Sequence, residues 1–298
     1  MIAVNKLRLL DLNAPAQPGR PAYLSAASGL VHVGKWLYVV ADDEHHLAAF
    51  PDTGNAPGDL IRVFADDLPL EKKPRKKAKP DWESLVRVTH PINAPTGALL
   101  LIPSGSKAHR NRGAMLVLDS TGGIVGAPQE IDFSPLFACL PFDPPNLEAV
   151  VQCDSELYFL NRGNKKGQPN AMIHFDLGEV LGALRNCAKL ECRRVQPIEM
   201  GRHGEVPFSF TDASWVGDRI VFTAAAENTD DSYEDGPTLA AGIGVLTLDG
   251  QIEHFAPIAP VHKVEGISAR RDGARTRCLL VNDEDDPAIP SSLLECSL

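Results

Sequence analysis

Hydrophobic and polar residues alternate along this chain in short runs, and the runs come in sets. The most apolar are "KWLYVVA" (35–41), "GALLLIP" (97–103), "ELYFLN" (156–161), "DRIVFTA" (218–224) and "TRCLLVN" (276–282). Each fits a buried strand that leads into a polar segment. Ahead of each stands a half-polar strand carrying a polar residue, a small residue and an aliphatic one: "ASGL" (27–30), "WESL" (82–85), "LEAV" (147–150), "TDAS" (211–214) and "KVEGIS" (263–268). A third strand follows, seen in "HLAAF", "GAMLVLD", "AMIHFDL", "GIGVLTLDG" and "SLLECSL", several ending in the Asp/Gly chemistry of a hairpin turn. A fourth is visible at 60–64, 130–133, 191–198 and 251–258.

With Ser28, Glu83, Glu148, Asp212 and Glu265 taken as equivalent, the copies recur at intervals of 55, 65, 64 and 53 residues. Four-stranded repeats at such a period predict an all-β chain, with residues 1–298 forming a single β-propeller domain of five blades, six being the alternative. A pair of β-sandwiches would also supply the strands, but it does not call for one tripeptide five times. The last copy has only three strands before Leu298, so its outer strand is expected from "VNKLRLLDL" (4–12). Pairing the two ends would also cover an open sheet edge. Only "GEVLGALRN" (178–186) reads as an amphipathic helix.

Charge narrows the partners. A formal charge of −10 and a pI near 5.4 argue against nucleic acid or an anionic membrane, and the one basic run, "KKPRKKAKP" (72–80), is local. Six cysteines without CxxC spacing read as reduced thiols. No segment has the pattern of a signal peptide or a membrane span, so the expectation is a soluble cytoplasmic protein.

The inner strand of a propeller blade starts, and the second strand ends, on the same face near the central tunnel. Glu83, Glu148, Asp212 and Glu265 are therefore expected to converge there, with Ser28 as the uncharged fifth member. The small residue after each acid fits the crowding of strands at the axis. Carboxylates so close must take up protons or bind a cation, and hard oxygen ligands suit calcium or magnesium. The bland alternative has these acids bonding to backbone amides of the neighbouring blade or lining a wet tunnel, with no metal. Strand-two exits add Asp42, Asp43, Glu227 and Asn228 to the ligand site, and Lys107, Arg110, Arg112, Arg162, Lys165 and Lys166 as candidates to hold a small anionic group. The acidic loop 227–238 is either solvated or a lid, and His45 and His46 face opposite ways if they lie in a strand. His109 and His203 are base candidates only by lying in loops. Serine-hydrolase, zincin, P-loop and Rossmann motifs are absent.

"WESL", "LEAV" followed by "FLNRGN", and "KVEGIS" followed by "LVNDEDDP" resemble the calcium-dependent phosphotriesterase-like propellers, more closely the bacterial phytase-like, esterase-like group. That resemblance implies a metal at the tunnel mouth on Glu148, Asn161, Asp212, Glu265 and Asp283, to which the register adds Glu83. It implies a hydrolase of a phosphoester, ester or lactone, with Glu148 and Asp212 as the candidate catalytic carboxylates. Two departures stand against it: most relatives have six blades, and Ser28 replaces the acid in blade one. The competing class is a non-catalytic propeller that presents its loop face to a small ligand or a protein.

Overall fold

The computed structural model describes residues 1–89, 96–164, 168–228 and 237–298. Five antiparallel sheets form five blades. From the inner strand outwards, blade one is Ala27–Val33, Trp36–Ala41, His46–Pro51 and Asp59–Arg62. Blade two is Trp82–Val88, Ala98–Pro103, Arg112–Leu118 and Ile124–Asp132. Blade three is Leu147–Cys153, Glu156–Asn161, Ala171–Asp176 and Arg194–Pro197. Blade four is Ser209–Val216, Arg219–Glu227, Thr238–Leu246 and Ile252–Ala259. Blade five is Val264–Asp272, Arg275–Asn282 and Ser292–Ser297, completed on its outer side by Asn5–Leu9. Each inner strand packs on the next, and the fifth returns to the first. The five-bladed propeller and its closure by the N-terminal strand are as the sequence predicts.

The hydrophobic core is divided among the blade interfaces rather than gathered in one place. One buried cluster lies between each neighbouring pair of blades, for instance Val86, Phe133, Leu147 and Phe159 between blades two and three. The alternation of apolar residues on both faces of each strand follows from this, because a blade is buried on two sides. Closure uses more of the N-terminus than blade five alone requires. Ile2–Ala3 pairs in parallel with the outer strand of blade four, and Asn5–Leu9 pairs antiparallel with Ser292–Ser297.

Every inner strand carries a β-bulge at the repeated motif. The residue left out of the pairing is Ser28, Glu83, Glu148, Thr211 and Glu265 in blades one to five. A bulge leaves one residue outside the ladder and re-aims its side chain. The residue after it lies where inner strands meet. A Cβ on Gly266 would come within 2.5 Å of Val281 Cγ2 and 3.0 Å of the Gly29 backbone. This crowding explains Gly29, Ser84, Ala149 and Gly266.

Blade four corrects the sequence reading. The equivalent of the acid is Thr211, and Asp212 occupies the small-residue position. From there its carboxylate accepts the N–H of Ala213 at 2.7 Å and, across the blade interface, that of Ile267 at 2.7 Å, with the Leu30 N–H of blade one also bonded to it. Burial pushes this carboxyl well above the usual range, against the pull of those amides. Asp212 thus ties three inner strands together, the bland role rather than the mouth position expected of it.

The helix at Leu177–Asn186 is as expected, capped by Asp176, whose side chain accepts the Glu179 N–H at 2.9 Å. The basic run is not an unstructured linker. It contains the helix Lys72–Ala78, whose Arg75 is buried. A further short helix spans Ser134–Phe137. Among the described residues, no helix is long and apolar enough to cross a membrane.

Candidate functional site at the tunnel mouth

A cavity of about 1320 Å³ opens on the face where inner strands begin and second strands end. Of the residues singled out from sequence, Ser28, Glu83, Lys107, Arg110, Glu148, Arg162, Glu265 and Asp283 line it. Asp43, Asn161, Asp212, Glu227 and Asn228 do not. Asn161 is fully buried, its Oδ1 accepting the Asn146 N–H at 2.9 Å, so it braces the loop entering blade three. Asp43 is spent on Arg20 and Arg75, both at 3.0 Å, while its neighbour Asp42 faces the cavity. Glu227 lies behind the wall as the 2.6 Å partner of Arg162. Asn228 is exposed. Lys165, Lys166 and residues 229–236 of the acidic loop lie outside the described residues. His109, Arg112 and His203 are exposed and do not line the cavity. His45 is buried, with Nδ1 2.8 Å from the Asp66 carbonyl oxygen, and His46 is 3.8 Å from Glu44.

Positive and negative groups interleave around the mouth in two arcs. In the first, the Lys79 ammonium joins Asp42 to Asp81, at 2.9 Å from Asp81 Oδ1, and Arg110 holds Asp81 Oδ2 at 2.6 Å. Ser104 and Ser106 donate to the same Asp81 oxygen. In the second, Arg162 bridges Glu148 at 3.5 Å and Glu227 at 2.6 Å across the interface of blades three and four. Lys263 then lies 3.9 Å from Glu227, 3.5 Å from Glu265, 3.5 Å from Asp283 and 2.7 Å from Asp285.

Burial raises two of the mouth carboxyls, Glu148, which is paired, and Glu83, which among the described residues is not. Burial pushes the Glu148 carboxyl up to about 8, against the pull of Arg162 and with the push of Glu265. Asn146 Nδ2 donates to Glu148 Oε1 at 2.8 Å. Among the described residues, no hydrogen bond or ion pair reaches the Glu83 carboxyl. Burial and then the charge of Glu148 drive it well above the usual range. Asp283 is raised by burial, against Lys263. Burial would also raise Asp81, but Lys79 and Arg110 overcome it and hold that carboxyl below the usual range.

The expected calcium set does not form. Asn161 and Asp212 are committed to backbone amides, Glu148 to Arg162 and Asn146, and Glu265 and Asp283 stand around Lys263. Among the described residues, the three carboxylates that do approach one another, within 4.8 Å, are Asp42, Asp81 and Glu83, and an ammonium already bridges two of them.

Sequence reasoning placed Asp42 on this face and missed Lys79, Asp81, Asn146 and Lys263. Three of these carry a signal. Asp81, Asn146 and Lys263 stand two residues ahead of Glu83, Glu148 and Glu265, the spacing that puts side chains on one face of a strand. The slip at Asp212 had a signal too. Aligning on the fully buried residue before the bulge, which is Ala27, Trp82, Leu147, Phe210 or Val264, selects Thr211.

Residues 23–298 match the model of a family of unknown function, DUF6929. The chain belongs to that family. No curated protein matches it in sequence. Among solved structures, the catalytic domain of the Coprinopsis cinerea GH62 α-L-arabinofuranosidase aligns at a TM-score of 0.53 with 9% identity, over 99% of this chain and 96% of that one. The Podospora anserina α-L-arabinofuranosidase PaAbf62A, in complex with cellotriose, gives 0.52 with 10% identity, over 100% and 96%. At such identity these likenesses establish the propeller fold that DUF6929 adopts here, and the chemistry has to be argued from the site.

Proposed function

We propose that the tunnel mouth is a hydrolytic site for a small, negatively charged ester, lactone or phosphoester. The observation that carries this is the pair Glu83, half-buried, and Glu148, buried, set by equivalent bulges in neighbouring blades and both raised against ionisation. Two raised carboxyls whose charges repel do not ionise together, so as pH rises past neutral one becomes a base while the other stays an acid. The acid protonates the leaving oxygen, and the base draws a proton from the attacking water. Lys107, Arg110 and Arg162 on the walls of blades two and three seat the substrate's charge. The cavity is large enough for a ligand of drug size. The resemblance of "WESL", "LEAV" and "KVEGIS" to hydrolytic propellers supports the reaction class.

The test is a panel of phosphomonoesters, phosphodiesters, lactones and carboxylic esters, run with chelator and with calcium, magnesium or manganese. On the best substrate, Glu148→Gln is expected to lower kcat by about a hundredfold or more, and Arg162→Ala to raise KM. Turnover that survives both Glu148→Gln and Glu83→Gln removes the acid–base reading. A blank panel with a saturable anionic ligand leaves the ligand-presenting propeller.

A further inference from the structure

The acids at the mouth need a cation, and the fold supplies one from its own chain. The oxygens of Asp42, Asp81 and Glu83 lie within 4.8 Å of one another, the spacing of a divalent ion's ligands. The side chain that enters this cluster is Lys79, bonded to Asp42 and 2.9 Å from Asp81. It is delivered by a built element. Helix Lys72–Ala78 is pinned by buried Arg75 to Asp43 at 3.0 Å and Glu44 at 2.8 Å. Lys79 closes that helix through its N–H to the Arg75 carbonyl at 2.8 Å. Asp81, at φ 61, then turns the chain sharply so that two residues on the same short segment face each other.

We infer that the Lys79 ammonium is the resident cation of the Asp42, Asp81 and Glu83 cluster, a tethered charge in the place a divalent ion would take among these three carboxylates. A tethered group competes at a high effective concentration. An entering metal would also have to shed water and leave a buried ammonium without its partners. The mouth is therefore metal-independent, and the basic insert 71–81 is part of the site rather than a linker. This holds whether or not the site is hydrolytic.

The experiment follows thermal unfolding of the full chain in chelator and in millimolar calcium, magnesium or manganese. Wild type is expected to shift by no more than about 1 °C. In Lys79→Met the cluster loses its cation, and added metal should raise Tm saturably by about 3 °C or more, as for any ligand of the native state alone. Lys79→Met combined with Glu83→Gln should lose that response, since it removes one of the three carboxylates that would hold the ion. Wild type that responds as strongly as Lys79→Met would show that the ammonium is readily displaced and would overturn the inference. So would a folded Lys79→Met that gains nothing from metal. If Lys79→Met does not fold, calorimetric titration of wild type with calcium decides: no saturable heat supports the inference, and saturable heat at micromolar calcium overturns it.

Discussion

Replacing Glu148 with Gln should make the protein more stable at alkaline pH and leave it almost unchanged at pH 5. Glu148 is 4% exposed, and its folded carboxyl is raised from an ordinary 4.5 to about 8. A raised acid contributes stability that is fully present below the unfolded value and is lost as pH climbs through the folded one, because the native state binds the extra proton. The window is thus pH 4.5 to 8. The gap between those values, at about 1.4 kcal/mol per pH unit, sets a ceiling of about 5 kcal/mol. Relaxation and water entry on ionisation bring the expected effect to about 2 kcal/mol, or about 4 °C in a chain of this size. Gln keeps the shape and can still accept from Asn146, while Arg162 retains Glu227. Part of the gain comes through Glu83, on which Glu148 is the largest neighbouring charge. Thermal melts of both proteins from pH 5 to 9 give the difference curve. A curve that is flat, or in which Gln loses ground as pH rises, would show that Glu148 is ionised and governed by Arg162, and the acid role would go with it.

Three other outcomes follow from the fold. Removing residues 1–9 strips the outer edges of blades four and five and should cause aggregation or a large fall in Tm; a monomer that melts like the parent refutes the closure. Asp212→Ala leaves the N–H groups of Ala213 and Ile267 without their acceptor and should cost about 2–5 kcal/mol in urea unfolding, with kcat per folded molecule unchanged; a selective loss of kcat would return Asp212 to the chemistry. Gly266→Ala forces a Cβ against Val281 and the Gly29 backbone and should destabilise by about 1–3 kcal/mol, whereas a neutral result would mean that the inner strands are not in contact there.

The architecture was legible because every blade repeats the same physical problem. A buried second strand must read apolar throughout, and crowding at the axis favours Gly, Ser or Ala, so the pattern survives in four copies of five, at Gly29, Ser84, Ala149 and Gly266. Closure was legible from a missing strand. The site was legible where the bulge residue is charged, at Glu83, Glu148 and Glu265. It failed at Asp212, where an acid in the small-residue position mimics the motif one residue late. Lys79 was hidden for a different reason. Its role depends on a helix and a turn that bring it back onto Asp42 and Asp81, and nothing in a run of lysines separates the one that turns inward from those that stay in solvent.

The bulges have a consequence for how such a ring can diversify. Ser28, Glu83, Glu148 and Glu265 each stand outside the strand ladder and line the cavity, so exchanging one for another alters the rim while the pairing behind it remains. The four positions share a scaffold, and the charged ones feel one another, since Glu148 acts on Glu83 and Glu265 on Glu148. The hydroxyl at Ser28 is a setting rather than a loss, and a descendant could move charge from one side of the opening to the other by single substitutions while its blades stayed folded.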